Sequence, residues 1–513
     1  INIISSLTLQ VVTVISGFII PKIILTNFGS SVNGLVSSLN QFLSYITLIE
    51  GGITGVVLAN LYKPLVDHDD KKISAVLVTA KKFFNKIGYL FIAYSMGVAV
   101  VYPILSKEGF SWPFVASLTV VLSLNLLIQY LFSLSFRVLL QADKKLYVIS
   151  FTQIVITVCN IVCAFLSVKI YPSIHLLKLL TGLLYIIQPL VYGYFVKKHY
   201  SIDWNTEPDD SLLKERWNGF AINCAAFIHN STDITILTIF TGLTTVSIYG
   251  VYTLVTNGLN GLFAAVFRAI APTVGQAYAK GDEHELNKKL DLFEFITFIS
   301  VYLCFTLSGL LITPFVQLYT NGITDADYIQ PLFGVLIVMA EGLYLIKEPH
   351  LDLSYSANKF KELAVPAFVE AGINILLSIT FVHKFGLIGV AIGTIAGMTY
   401  RMAYQVYFTT KIVKNRKQWI FYKKLLAFSF VTVIGVAICH FVPLTEITVW
   451  NWVLHAFIYA LIFGVLYLIL SLLLFKKEIR YLKEYLNKHL CAIDISVTDL
   501  LISNATKTLA NYC

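Results

Sequence analysis

Long apolar runs separated by short polar connections follow one another along the chain. A helix of about 20 apolar residues crosses the hydrocarbon core of a bilayer, and lipid requires each such segment to satisfy its own backbone polar groups, which predicts helices. The sequence therefore predicts an all-α polytopic membrane protein. Its 14 predicted spans lie at residues 3–25, 35–61, 83–105, 112–136, 147–168, 175–196, 217–240, 247–271, 290–318, 330–347, 361–382, 388–410, 425–443 and 450–475.

The composition agrees with one membrane-embedded body. Hydrophobic residues make up 57% of the 513 positions and charged residues only 13%, about half of the roughly 25% that soluble proteins carry. No polar block interrupts the apolar runs. We therefore expect function to reside among the helices or at their ends.

Lysine and arginine indicate the orientation. The connections on one side of the predicted membrane, with the C-terminal tail, hold 31 of these residues, whereas the opposite connections hold 4. Because cytoplasmic loops are enriched in positive charge, we expect both termini to face the cytoplasm of a bacterial inner membrane. The net charge of +9 is then a topology signal, and no basic soluble face predicts nucleic-acid binding.

A weak internal repeat suggests two lobes. Aligning Gly34 with Gly250, an offset of 216 residues, also aligns Asp67 with Glu283 in similar acidic-then-basic loops. Six helices per repeat place both copies in the same sense, with a substrate cleft between them. The predicted divisions are an N-terminal six-helix lobe (1–200), a C-terminal six-helix lobe (201–424), two added helices (425–480) and a cytoplasmic tail (481–513).

Two stretches carry a family resemblance. GFIIPKIILTNFGSSVNGLVSSLNQFLSYITLIEGGITGVVLANLYKPL and FGLIGVAIGTIAGMTYRMAYQVYFTTKIVKNRK resemble Wzx-type polysaccharide flippases, in a superfamily that includes MATE multidrug extruders and lipid II flippases. The resemblance implies translocation of undecaprenyl-diphosphate-linked oligosaccharide repeat units for capsule or O-antigen synthesis. It also implies coupling to an ion gradient and partnership with a polysaccharide polymerase and chain-length machinery.

Three cations in or beside the spans suit an anionic diphosphate. Arg401 lies near the middle of its predicted helix, Arg268 near the cytoplasmic end of another and Lys22 just after Pro21. Charged groups in a membrane are costly and are therefore functional candidates. The alternatives are snorkelling to the interface for Arg268 and Lys22, and an ion pair with a helix acid for Arg401.

Ionisable groups in the spans are candidates for coupling to H⁺ or Na⁺. Glu50 precedes two glycines, and His229 lies four residues before Asp233 and so on the same helix face. The alternative for each is a structural ion pair or hydrogen bond. The candidates are Glu50, His229, Asp233, Glu341 and Glu370.

Polar amides on two repeat-equivalent helices are candidates for sugar recognition, with hydrogen bonding between helices as the alternative. They are Asn33, Asn40, Gln41, Asn257 and Asn260.

Other function classes remain open. The connections show no phosphate-binding glycine motif, catalytic triad or metal-ligand spacing, so we expect neither ATP use, nor a metal or cofactor, nor enzymatic activity. A MATE-type drug antiporter and a lipid II flippase are alternatives within the same fold. A membrane-embedded polysaccharide polymerase or acyltransferase is an alternative of another class, although such a polymerase is expected to carry a large external loop.

Overall fold

The structure, a computed structural model, describes residues 2–50, 52–105, 109–209 and 220–484. These residues fall into two compact units. The first unit consists of residues up to 266, 308–344 and 359–403, and the second of 267–307, 345–358 and the chain from 404 onward. The chain is an all-α polytopic membrane protein, as predicted.

The first part of the chain forms ten α-helices and one π-helical turn. They are α1 (Asn2–Phe28), α2 (Ser30–Ser44), α3 (Thr47–Glu50), α4 (Ile53–Val66), α5 (Asp70–Leu105), α6 (Trp112–Ile128), the π-turn (Gln129–Ser133), α7 (Leu134–Ala142), α8 (Leu146–Ile170), α9 (Ile174–Leu184) and α10 (Ile187–His199).

The remainder of the described chain contains nine further α-helices with assigned bounds. They are α11 (Phe220–Phe240), α12 (Leu243–Lys280), α13 (Glu283–Tyr319), α14 (Pro331–Ile346), α15 (Glu348–Ser356), α16 (Phe360–Phe385), α17 (Leu387–Ile412), α18 (Trp419–Cys439) and α19 (Val449–Leu474).

The observed helices are roughly consistent with the 14 predicted spans. Among the described residues, ten helices are long and apolar enough to cross a membrane. A pair bent by 44°, Ser30–Glu50 with Ile53–Val66, makes an eleventh candidate. The other three predicted spans coincide with α11, α14 and α17.

Three helices are much longer than their apolar runs. Helices α5, α12 and α13 contain 36, 38 and 37 residues, whereas about 20 suffice for a bilayer. The eighth predicted span ends at residue 271, but α12 continues through Pro272 to Lys280. A hydropathy pattern detects only the apolar part of a helix, so it does not predict polar extensions at the helix ends.

Glycines permit close helix contacts within the first unit. A Cβ atom added to Gly34 on α2 would lie 1.8 Å from the carbonyl oxygen of Leu243, at the start of α12. On α17, Cβ atoms at Gly389, Gly393 and Gly397 would all meet α16, the nearest atom to Gly393 being Ser378 Oγ at 2.1 Å. Small residues at intervals of four let neighbouring helix backbones approach closely in membranes.

Candidate functional site

A hydrogen-bonded group of side chains joins the start of α2 to the connection between α13 and α14, within the first unit. Gly29, with φ of 84°, turns the chain so that the Asp325 carboxylate accepts hydrogen bonds from the backbone N–H and the hydroxyl of Ser30, each at 2.7 Å. Tyr328 donates to Ser30 Oγ and also contacts Ser247 on α12. We call Ser30, Asn33, Ser247, Asp325 and Tyr328 the Asp325 cluster.

Asn33 and Lys22, two of the residues predicted to contact substrate, form hydrogen bonds with other parts of the first unit. Asn33 is buried and donates to Ser247 Oγ at 2.8 Å. The Lys22 ammonium donates to the carbonyl oxygens of Tyr319 and Asn321, the latter at 3.3 Å. A cation at the last carbonyls of α13 also complements the negative end of the helix dipole. The Asn33 contact is the interhelical hydrogen bond considered as its alternative, whereas the alternative considered for Lys22 was snorkelling to the interface.

Asp233 lies in a pocket of oxygen atoms in the first unit. Its Oδ2 accepts from Tyr249 at 3.0 Å and from Thr394 at 3.1 Å. Its Oδ1 is buried and has no hydrogen bond of ordinary geometry among the described residues, although the Asn374 amide interacts with the carboxylate. On α16, Ser378 donates to Asn374 Oδ1 at 2.9 Å and lies 3.3 Å from the carbonyl oxygen of Val390. We call Asp233, Tyr249, Asn374, Ser378 and Thr394 the Asp233 cluster.

Arg401 is paired inside the first unit. Its Nε lies 3.6 Å from Glu370 Oε2, and its Nη1 donates to the carbonyl oxygen of Leu363 at 3.2 Å. Both side chains are buried. The ion pair matches the alternative considered for Arg401 and offsets the cost of placing each charge away from water.

Two further acids of the first unit accept hydrogen bonds from uncharged side chains. Glu341 Oε2 accepts from the Asn260 amide at 2.7 Å. Glu50, the last residue of α3, accepts from Thr54 at 3.1 Å and from the Tyr130 hydroxyl at 3.0 Å. A candidate sugar-binding amide and a candidate coupling acid therefore contact each other.

The second unit contains a buried network of charges that sequence reasoning did not identify. Glu294 on α13 is fully buried and pairs with Arg416, with Lys424 at 2.7 Å and with His350 Nε2 at 3.2 Å. Arg416 also reaches Asp291 at 3.1 Å. We call Asp291, Glu294, His350, Arg416 and Lys424 the Glu294 cluster.

The charges of the Glu294 cluster balance when His350 is neutral. Burial lowers the pKa of His350, an effect that the nearby Glu294 carboxylate partly opposes. The neutral ring accepts or donates at Nδ1 with Thr409 at 2.9 Å. Two carboxylates then face two cations, so the network is internally compensated. On the same short helix, burial and the neighbouring Glu348 carboxylate raise the pKa of Asp352 to about 7.

The remaining predicted site residues are exposed, form only local contacts or lie outside the described part of the chain. Asn40 and Asn257 are exposed, and Gln41 donates locally to Ser44. Arg268 is exposed, and no hydrogen bond or ion pair connects it to another described residue. The side chain of His229 and the tail from 485 onward lie outside the described residues.

The missed charges had a signal in the sequence. Asp291 and Glu294 lie three residues apart, hence on one helix face, at the beginning of an apolar run. The predicted span at 290–318 covers that run, and the charge bias assigns Arg416 and Lys424 to the cytoplasmic connections. Asp325 gave no signal, because a single acid in a polar connection is ordinary.

The family model for the lipid II flippase MurJ matches residues 42–463. The chain belongs to the MurJ lipid II flippase family. A comparison with curated proteins gives no match.

Solved structures share the fold. A lipid II flippase MurJ in an inward closed conformation has a TM-score of 0.68 at 17% identity, with 90% of this chain and 98% of that chain covered. An inward-facing MATE multidrug transporter of the MOP superfamily gives 0.61 at 16%, with 81% and 100% covered. MATE in a bent conformation gives 0.54 at 15%, with 79% and 93% covered. At such identities these likenesses show fold alone.

The resemblance to Wzx-type flippases was wrong, and so was the function drawn from it, because the family match is to MurJ. Four glycines in the stretches that suggested it, Gly34, Gly389, Gly393 and Gly397, serve helix packing. Gly34 faces the backbone of Leu243, and Gly393 faces α16. Such glycines report close helix contacts and carry no information about the sugar of a substrate.

Proposed function

We propose that this protein translocates lipid II, a lipid-linked precursor of peptidoglycan, across the bacterial cytoplasmic membrane. The observation that carries the proposal is the match of the MurJ family model over residues 42–463. The likeness to a solved MurJ structure along 90% of the chain supports the same architecture. The protein acts as a transporter and not as an enzyme, with both termini in the cytoplasm as the charge bias predicts.

Arg268 is our candidate for contact with the substrate diphosphate. Of the three cations proposed from the sequence, Arg401 is paired with Glu370 and Lys22 donates to carbonyl groups. Arg268 remains exposed and unpaired among the described residues. A guanidinium binds phosphate oxygens through two parallel hydrogen bonds. The exposed amides Asn40 and Asn257 are the corresponding candidates for the sugar moiety.

The Asp233 cluster is our candidate for ion coupling. A buried carboxylate oxygen without a hydrogen bond of ordinary geometry is costly, and binding a proton or a cation would remove that cost. Hard cations prefer oxygen ligands, and the cluster supplies carboxylate, amide and hydroxyl oxygens together with the Val390 carbonyl. The coupling ion proposed for this site is H⁺ or Na⁺. Glu50, Glu341 and Glu370 remain candidates for protonation.

Complementation tests the proposal. The chain is produced in bacteria whose own lipid II flippase is being depleted. Two quantities are measured: growth, and the amount of lipid II that accumulates in the inner leaflet. We expect the wild-type chain to restore growth and lower that accumulation. Arg268→Ala is expected to abolish rescue, because the diphosphate loses its cation. The matched control is Arg137→Ala, which removes another exposed arginine near a helix end.

The outcomes separate the functions. A wild-type chain that inserts normally yet does not restore growth would overturn the proposal, and added resistance to cationic drugs would then favour multidrug antiport. Asp233→Asn is expected to weaken rescue and to remove any dependence of flipping on the H⁺ or Na⁺ gradient. Full gradient-dependent flipping by that variant would exclude Asp233 from coupling.

A further inference from the structure

Three predicted spans of the first unit are interrupted near one another. The second span breaks after Glu50, at the end of α3, and resumes at Ile53. The fourth span contains the π-turn Gln129–Ser133 between α6 and α7. In the sixth span the α-helical hydrogen-bond pattern lapses at residues 185–186, between α9 and α10, where the backbone N–H groups bond to carbonyl oxygens three residues back. Interruptions of this kind are places where a helix can bend.

Hydrogen bonds from the π-turn connect the three interruptions. From one end of the turn, the buried Tyr130 donates to Glu50 Oε2 at 3.0 Å. From the other end, the buried Ser133 hydroxyl lies 3.3 Å from Gln188 Oε1 and also 3.3 Å from the Gln129 carbonyl oxygen one turn earlier, and it shares its single hydrogen between these two acceptors. Gln188 is the second residue of α10, directly after the third interruption, and its amide donates to Gln153 at 3.0 Å. The π-turn thus has hydrogen bonds to a residue beside the bend of the second span and to a residue beside the helix irregularity of the sixth.

The surrounding helices accommodate the π-turn. A Cβ atom at Gly88 on α5 would lie 2.5 Å from Leu131 Cδ2 and 3.5 Å from Tyr130 Cβ. The absence of a side chain at Gly88 therefore makes room for the widened turn. Single π-turns inside α-helices occur frequently at functional sites. The Tyr130 ring also contacts Phe91 on α5, with centroids 6.1 Å apart.

We propose that the π-turn is a positioning element for Glu50: Tyr130 holds the carboxylate at the first interruption, and Ser133 links the same turn to Gln188 at the third. The inference rests on the ion-coupled transport proposed above, in which Glu50 is a candidate coupling acid. An ionised carboxylate accepts a stronger hydrogen bond than a neutral one. Neutralising Glu50 therefore weakens its hydrogen bond with Tyr130. The π-turn then becomes more mobile, and the contact between Ser133 and Gln188 at the start of α10 weakens with it.

Hydrogen–deuterium exchange of the full-length protein in lipid nanodiscs tests the link. The measured quantity is the exchange rate of the backbone amides at residues 185–188 and 190, which reports local opening; Pro189 carries no backbone N–H. We expect Glu50→Gln and Tyr130→Phe each to raise this rate severalfold, and the double variant to raise it no further than either alone. Ser133→Ala breaks the other end of the link and is expected to give the same increase.

Tyr94→Phe is the matched control. Tyr94 also contacts the Phe91 ring, but its hydroxyl donates to the Phe42 carbonyl and not to Glu50. We expect this variant to exchange like the wild type. Unchanged exchange in both Glu50→Gln and Tyr130→Phe, or additive effects in the double variant, would overturn the inference.

The exchange measurement needs no substrate, so it separates this inference from the proposed function. A chain that fails to flip lipid II but shows the linked exchange contradicts the proposed substrate alone. A chain that flips lipid II without the linked exchange contradicts the positioning role of the π-turn alone.

Discussion

Replacing Glu294 by glutamine is expected to destabilise the protein strongly. Glu294 is fully buried and contacts Arg416, Lys424 and His350. Glutamine retains the size and some hydrogen bonding of the side chain but removes its charge. Two buried cations then share the single carboxylate of Asp291, which lies 3.1 Å from Arg416 and 3.9 Å from Lys424.

The magnitude follows from the loss of one partner in a buried ionic network. Such a loss typically costs about 3–5 kcal/mol, because the remaining charge stays away from water without compensation. A change of about 1.4 kcal/mol is tenfold in an equilibrium constant, so the unfolding equilibrium shifts by more than about 10²-fold. By contrast, losing the exposed Asp69–Lys72 pair should change the stability little, because water screens both charges.

Thermal unfolding in detergent, followed by tryptophan fluorescence, measures these effects. Glu294→Gln should lower the midpoint far more than Lys72→Ala. The double variant Glu294→Gln/Lys424→Gln leaves one acid and one cation, Asp291 and Arg416, and should recover part of the loss. An unfolding midpoint of Glu294→Gln no lower than that of Lys72→Ala would contradict the proposed electrostatic cost. A double variant whose midpoint falls by the sum of the two single losses would contradict it as well.

Three other predictions concern separate parts of the molecule. Asp325→Ala removes the acceptor of both Ser30 hydrogen bonds, so a cysteine placed at the buried Ser247 should react severalfold faster with a water-soluble maleimide. Gly393→Ala brings a Cβ atom against α16 and should destabilise the fold by about 1–3 kcal/mol, measured by thermal unfolding. Asp352→Asn should raise the unfolding midpoint more at pH 8 than at pH 5. Because the folded pKa of Asp352 is raised to about 7, its ionisation removes stability as the pH rises through that value.

Each of these predictions has a control and an opposing result. Asp327→Ala changes an acid in the same connection as Asp325. Equal labelling of the cysteine at position 247 in both variants would show that Asp325 does not stabilise the Asp325 cluster. Gly372→Ala adds a Cβ atom on α16 where nothing lies within 4 Å, and equal loss at both glycines would refute the packing argument. A pH-independent effect of Asp352→Asn would show that the carboxyl ionises normally.

The sequence predicted which charged residues lie in the membrane spans but not which groups they contact. Arg401 and Glu370 are 31 positions apart and were both candidates, yet their pairing appears only when α16 and α17 are packed. Lys22 meets carbonyls nearly 300 positions away. The Glu294 cluster joins residues separated by up to 133 positions. Local patterns contain no information about such partners.

The sequence by itself determined that the chain is helical and crosses a membrane many times, because lipid forces each apolar segment to satisfy its own backbone and hydropathy is a sum over neighbouring residues. Only the tertiary structure decided which buried charges are compensated, which carboxylate oxygen in the Asp233 cluster lacks a hydrogen bond of ordinary geometry, and where the spans break. Those properties depend on distances between residues far apart along the chain, and these distances are set by helix packing.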